Sequence, residues 1–302
     1  MLPPIIDSHV HWRDPINPYE ALSDTVDENG NRGGAEVQPY LPEDYRADAA
    51  DVDVVGVVHI EAEWSKTDPV GETRWLHDLA TGKKTTGLPL VVVGFCDLSK
   101  PAAEVEGILD AHAAMPLTRG IRHILNRVEG NPALCWADRE YLDDETWRAG
   151  YGLLGKYGLD FDLMCFGHQL EPFAKLAAQH PDIPVHLEHA ALPWDHSDEG
   201  REFWRKGMKA LAALRHADVK ISGLGNTVPN WTTQSIRDYV LETIDIFGTG
   251  RVSFASNFPT DKQFSDMSTI WRAFDEITAS FTWDERKALF ADNARRLYRF
   301  SK

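Results

Sequence analysis

The chain has 302 residues, 43% of them hydrophobic and 26% charged, a globular composition that supports a full core. Acids exceed bases by 47 − 31 = 16, and a net charge of −16 argues against nucleic acid or an anionic membrane surface as a partner. Cys96, Cys135 and Cys165 are too few and too scattered for a disulfide framework, no stretch approaches the ~18 apolar residues of a membrane span, and "MLPPIIDSHVHW" lacks a leader pattern, so a cytoplasmic setting is expected.

In chain order, "PIIDSHVHW" (4–12) is the first strand candidate. Its Asp7, His9 and His11 stand at alternate positions, which a strand turns to one side. Two neutral imidazoles there bind a divalent metal or hydrogen-bond one substrate, although an isolated H-x-H is more often satisfied by backbone or water. Residues 13–41 form a long non-periodic loop, with Arg13 available as an anion contact. "VDVVGVVHIEA" (52–62) is the second strand and sends His59, Glu61 and Glu63 to one face. "LPLVVVGFCDL" (88–98) is the third, and "PAAEVEGILDAHAAM" (101–115) follows as a helix with Val105, Ile108, Leu109 and His112 on one stripe. "RGIRHIL" (119–125) is the fourth strand, with Arg122 and His123 on opposite faces, and a second long loop covers 126–142.

"DDETWRAGYGLLGKYG" (143–158) begins with acids and stops at Gly158, as a capped helix does. Strand five, "LDFDLMC" (159–165), runs toward His168 and precedes the helix "LEPFAKLAAQH" (170–180). Strand six, "IPVHLEHA" (183–190), carries His186 and Glu188 on a face that His189 does not share, so one set is expected to point outward. "REFWRKGMKALAALRH" (201–216) is helical, "DVKISGL" (218–224) is a strand bearing Lys220 and Ser222, and "SIRDYVLETIDIFG" (235–248) is helical again. Strand eight, "RVSFASN" (251–257), ends in Ser256 and Asn257, and "WDERKALFADNARRLYRF" closes the chain as one amphipathic helix.

Eight β–α alternations in this length predict an α/β fold, a (β/α)8 barrel occupying residues 1–302 as a single domain. An open doubly wound sheet is the weaker reading, because no glycine-rich fingerprint follows the first strand. The reactive side chains fall at the C-terminal ends of their strands, where barrel enzymes work. Singly, Lys220 or Arg122 reads as a bridge between strands. Five or more such groups at one rim are hard to ascribe to packing, since a buried charge costs several kcal/mol.

"DSHVHW", "GIRHI", the terminal "EHA" of strand six, "VKISGL" and "FASNFPTD" together resemble the amidohydrolase superfamily, and more closely its branch of barrel lactone hydrolases of the fuconolactonase, sulfomuconolactonase and pyrone-dicarboxylate lactonase types. The resemblance runs in order over nearly the whole chain. It implies that His9, His11 and His189 bind a divalent metal (zinc or manganese) or the substrate, and that Arg122 grips a substrate carboxylate or the lactone oxygen. The strand-eight position, an aspartate base in the family, is Asn257 here, and a carboxamide takes no proton at neutral pH. The resemblance therefore leaves three outcomes: a base displaced to Asp261, a base at Glu61, Glu63 or Glu188, or loss of hydrolysis with binding retained.

The expected activity is opening of a small lactone, carboxylated or sugar-derived, with Asp261, Arg122 and Glu188 as catalytic residues. His59, Glu61, Lys220, Asn257 and Arg13 are expected to hold the substrate, which is expected to be anionic. The same superfamily includes metal-dependent decarboxylases, which need no water-activating base and so tolerate Asn257; a non-catalytic binding barrel is the third alternative. Trp12, Trp64, Trp136, Trp194 and Trp231 fall in βα loops, where large aromatics anchor the loop or stack on a flat ring. A homodimer is expected only because such oligomers are common.

Overall fold

A computed structural model describes residues 2–19, 38–82 and 87–300. The strands are β1 (Ile5–Val10), β2 (Val54–Ile60), β3 (Leu90–Phe95), β4 (Thr118–Ile124), β5 (Asp160–Met164), β6 (Val185–Leu187), β7 (Ala217–Ile221) and β8 (Val252–Phe254). They pair in parallel, in sequence order, as one eight-stranded sheet. Val10 bridges to Phe258, and backbone bonds from His11 N to Phe258 O (2.8 Å) and from Asn257 N to His9 O (3.0 Å) draw the first and last strands together at the rim. The sheet is thus a nearly closed (β/α)8 barrel, as the alternating pattern predicts.

The helices are α1 (Pro42–Asp48), α2 (Gly71–Thr81), α3 (Ala102–Ala113), α4 (Glu145–Tyr157), α5 (Leu170–Ala177), α6 (Asp198–Ala212), α7 (Thr233–Phe247), α8 (Met267–Ile277), α9 (Trp283–Lys287) and α10 (Asn293–Leu297). In α4, Asp144 caps two backbone amides and Gly158 ends the helix in a left-handed conformation. Three helices, α1, α2 and α8, lie outside the segments whose pattern predicts a helix. α1 has only seven residues, while α8 carries a continuous apolar face of Met267, Ile270, Trp271 and Phe274 behind the Asp266 cap.

The expected single tail helix is broken. A wider π turn over Ala288–Asp292 separates α9 from α10 and re-aims the chain. Tyr298 and Phe300 then pack with Ile6, Val58, Ile60, Val91 and Val93, stopping the N-terminal end of the barrel. Apolar residues on the other face of the strands, such as Val57, Val92, Ile121, Phe161 and Val219, belong to the main core shared with the helices. Most of the predicted loop 13–41 lies outside the described residues. Among the described residues no helix is long and apolar enough to cross a membrane.

Candidate functional site

At the C-terminal rim the chain gathers three imidazoles. His9 and His11 meet with their Nε2 atoms 3.0 Å apart, and the His189 ring centroid lies 4.4 Å from that of His9. Asp7 does not join them, contrary to simple alternation. The β1–β2 register shifts between Asp7 and Val10, so the strand loses its period there. The Asp7 carboxylate instead accepts the Tyr45 hydroxyl (2.8 Å) and the Ser256 amide (2.8 Å), and burial lifts its pKa to about 6.

His189 arrives by a second irregularity. Strand six ends at Leu187, and His189, Ala190, Ala191 and Leu192 all take positive φ, between 43° and 59°. This left-handed turn carries the His189 ring inward, beside the Glu188 that shares its end of the strand. The expectation that these two diverge is therefore overturned, and the turn is the reason. His189 Nδ1 is fixed by Ser222 Oγ at 2.8 Å.

Glu188 is the carboxylate in the middle of the group. Its Oε1 is 3.5 Å from His9 Nδ1 and 3.3 Å from Lys220 Nζ, and its Oε2 accepts from Arg122 at 3.3 Å. Burial raises its pKa, and the Lys220 and Arg122 charges oppose the rise. Arg122 also donates to Glu61 Oε1 (2.7 Å) and to the Glu61 carbonyl (2.6 Å), so one guanidinium spans two carboxylates. Lys220, on β7, links Asp162 of β5 (2.5 Å) to Glu188 just past β6, and Asp162 also accepts the Tyr298 hydroxyl at 2.7 Å.

The remaining predicted residues stand around this centre. Asn257, itself at φ 57°, donates its amide to Asp261 Oδ1 at 2.9 Å, and its buried carbonyl oxygen has no hydrogen-bond partner among the described residues. Asp261 lies with Ser222 and Gly223 beside a small cavity of about 10 Å³. His59 donates Nε2–H to the Trp12 carbonyl (3.2 Å) and faces Glu72 at 4.0 Å, a step behind His11 rather than in the cluster. Arg13 is buried, pairs its backbone with Tyr40, and lends positive potential to His11 and His59. Glu63 donates its amide to Glu61 Oε2 at 2.8 Å. His168, at the end of strand five, bonds the Arg127 carbonyl away from the imidazoles.

Sequence reasoning passed over Asp162 and Tyr298. The alternating Asp160 and Asp162 of "LDFDLM" were the available signal for the first; nothing local marks the second, which reaches Asp162 from 136 residues away.

All three rim histidines are neutral. Burial depresses each pKa well below the ordinary imidazole value, and the nearby cations and histidines push the same way. His11 Nδ1–H donates to the Ile60 carbonyl at 2.8 Å, which turns the lone pair on Nε2 toward His9. Among the described residues His9 Nδ1 is buried without a hydrogen-bond partner.

These donors fit a divalent cation. The 3.0 Å gap between Nε2 atoms compares with about 3.3 Å for two nitrogens each ~2.0–2.1 Å from one tetrahedral zinc. Ligand atoms of His9, Glu188 and His189 also lie within 4.8 Å of one another. Met164, Phe166 and Leu192 form an apolar cluster against which Trp136 and Trp194 pack, and Met164 Sδ touches Arg122 at 3.5 Å. A cavity of about 570 Å³ between Arg127, His168, Trp194 and Trp204 borders none of the clustered imidazoles, whereas one of about 110 Å³ shares Glu61 with the centre.

The chain is 40% identical over 297 residues to the uncharacterised protein y4mH of Sinorhizobium fredii, covering 98% of each chain. It is 27% identical to an L-fucono-1,5-lactonase of Burkholderia ambifaria, over 76% of this chain and 77% of that one. Its fold matches a crystal structure of a zinc-bound amidohydrolase from Burkholderia multivorans with a TM-score of 0.79 at 23% identity, covering 99% and 100% of the two chains. The amidohydrolase family model matches residues 6–300, and the chain belongs to that family.

Proposed function

We propose that this barrel opens a small lactone by attack of water on the ring carbonyl. The observation that carries the reading is Glu188: a buried carboxylate held between Arg122 and Lys220, 3.5 Å from a neutral histidine. A general base works best when its pKa lies near the working pH, and burial moves Glu188 in that direction. We assign Glu188 the proton of the attacking water in preference to Asp261, whose Oδ1 is already taken by Asn257. The resulting carboxylic acid then returns that proton to the departing ring oxygen. The products are a hydroxyl and a carboxylic acid, which ionises near neutral pH and releases one proton per turnover.

Arg122 and Lys220 hold Glu188 in place and supply positive potential toward the developing oxyanion. Because Arg122 already donates to Glu61 and Glu188, those hydrogen bonds are committed within the protein rather than offered to a substrate carboxylate. His9, His11 and His189 are assigned to a single divalent ion, with Glu188 beside it as the base rather than as a further ligand; the ion when bound would polarise the carbonyl as a Lewis acid. The zinc in the Burkholderia structure and the lactonase name of the B. ambifaria relative support this reading.

The test is a pH-indicator assay over a panel of sugar lactones and carboxylated muconolactones, run before and after chelation with carbon dioxide monitored in parallel. Proton release without gas, lost on chelation and restored by zinc or manganese, is expected, with about one equivalent of metal in the purified protein. Gas evolution from an aromatic acid would replace the hydrolase with a decarboxylase. Full activity in demonstrably metal-free protein would remove the ion and leave hydrolysis standing.

A further inference from the structure

The cavity of about 110 Å³ beside Glu61 opens over the ends of β2, β3 and β4 and is walled by Phe95, Trp136 and Tyr141. That is far below the ~300–1,000 Å³ that encloses a drug-sized ligand, so it accommodates a substituent rather than a second ring. His123 lines it, and one contact fixes its chemistry. Trp147 Nε1–H donates to His123 Nδ1 at 2.9 Å. An indole N–H has no lone pair to offer, so Nδ1 must be the accepting nitrogen and the ring proton must sit on Nε2. Tyr141 at 4.5 Å, Phe95 at 5.7 Å and Trp147 at 6.3 Å between ring centroids clamp the imidazole in place.

We propose that His123 is a specificity-determining residue: its Nε2–H, together with the Asp138 carboxylate on the same cavity wall, reads a neutral hydroxyl on the substrate. The proposal rests on the lactone reading and narrows it. A hydroxyl accepts from one side and donates from the other, and the two wall groups match those roles. A carboxylate can only accept. It would also meet Glu61, Glu63 and Asp138 on this wall against Lys66 as the single ammonium. Burial supports the assignment by holding His123 at a pKa of about 4; the Asp97 and Asp138 charges work against this and Lys66 with it. The ring therefore remains a neutral donor across the physiological range.

Two variants separate recognition from packing. His123→Asn keeps an oxygen near Nδ1 for Trp147 and removes the donor into the cavity, whereas His123→Gln restores an amide near Nε2. The probes are six-carbon aldono-1,5-lactams, which resist ring opening, with each ring hydroxyl deleted in turn and with one replaced by a carboxylate. Binding is measured by calorimetry on the metal-loaded protein, and turnover of the matching lactones is assayed separately.

For one hydroxyl, the wild type is expected to prefer the intact lactam about tenfold over its deoxy analogue, a ratio that falls to near one in His123→Asn and recovers in His123→Gln. The carboxylated lactam is expected to bind more weakly than either. An undiminished ratio in His123→Asn, a preference for the carboxylated lactam, or no binding of any hydroxylated lactam overturns the proposal. Lactones that are opened with an unchanged ratio defeat the His123 assignment alone. Lactams that follow the expected ratio while no lactone is opened defeat the hydrolase reading alone.

Discussion

The two ends of the barrel hold the same kinds of residue and put them in opposite charge states. At the N-terminal end, His186 Nδ1 lies 2.8 Å from Asp218 and Nε2 lies 3.2 Å from Asp160, while Arg299 closes on both Asp160 oxygens at 3.0 and 2.8 Å. Burial pulls the His186 pKa down, but the two carboxylates override it and lift the pKa to about 10. The ring is an imidazolium under Tyr298, whose centroid is 4.4 Å away. At the C-terminal rim, His9, His11 and His189 cluster around one carboxylate that two cations already hold, and burial leaves all three neutral. What separates a structural ion from a ligand-ready lone pair is the balance of charge within contact of each ring: two carboxylates and one arginine at His186, against one carboxylate and two cations at the rim.

Breaking the charged end should give the largest effect. His186→Gln takes the imidazolium from between Asp160 and Asp218, leaving Arg299 on Asp160 and the more distant Lys220 charge on Asp218, and loss of one partner from a buried ion pair typically costs about 3–5 kcal/mol. Denaturant unfolding should read this destabilisation, while kcat per folded molecule stays near the wild-type value. A stable variant with collapsed turnover would mean that His186 belongs to the chemistry and that the division between the ends is wrong.

The neutral state has a control outside the site. His112, on α3, donates Nε2–H to the Phe95 carbonyl at 3.0 Å and bonds Thr73 Oγ1 through Nδ1 at 3.1 Å. Burial is the main cause that lowers its pKa to about 4. The folded value lies below the unfolded value of roughly 6.5, so the unfolded chain takes up the proton first as pH falls. The contribution of this group is therefore fully present above pH ~6.5 and is lost on descent toward pH ~4, by up to about 3 kcal/mol. His112→Gln should flatten that part of the stability curve. An identical slope in the variant would show that burial is not what keeps such rings neutral.

At the rim, His189→Ala should lower kcat/KM by ~10² or more, equivalent to about 2.7 kcal/mol of transition-state stabilisation, and should also reduce the zinc retained on dialysis. Loss of activity with metal retained would recast His189 as a substrate contact. Wild-type rates in the folded variant would remove it from the site.

These contrasts also mark how far the amino-acid pattern reaches. Continuous apolar runs such as "VDVVGVV" and "LPLVVV" disclose parallel strands covered on both faces, and counting them is enough for the barrel. Period-two spacing likewise discloses His9 with His11, and it separates Arg122 from His123. It fails where the backbone leaves ideal geometry. The register shift after Asp7 and the left-handed turn at His189 each reverse a predicted side, and neither has a glycine to announce it. The partners of Lys220 were hidden for a different reason. Asp162 reaches it from β5 across two strands of the barrel, and Tyr298 joins Asp162 only because the tail folds back under the barrel, contacts between segments far apart in sequence.

The left-handed turn yields the smallest expected effect and the finest test of the rim. An L-residue in that conformation costs roughly 1–2 kcal/mol, and four in succession persist only where surrounding contacts hold them. Here Ala191 N bonds the Glu188 carbonyl at 3.0 Å, Leu192 N bonds that of His189 at 2.9 Å, and Trp204 Nε1 bonds that of Ala190 at 2.7 Å. Replacing Ala190 with glycine removes the steric cost, but it also adds about 0.5–1 kcal/mol of backbone entropy and exposes roughly 0.8 kcal/mol of lost methyl burial. The three contributions nearly cancel, so Ala190→Gly should change stability by less than about 0.5 kcal/mol. Ala273→Gly is the matched control: Ala273 is equally buried but sits in the right-handed α8, where there is no strain to relieve, and it should cost about 1.5 kcal/mol. Equal losses at the two positions would mean that the turn at His189 carries no strain, and that the ring reaches the metal-binding group by a backbone the sequence adopts freely.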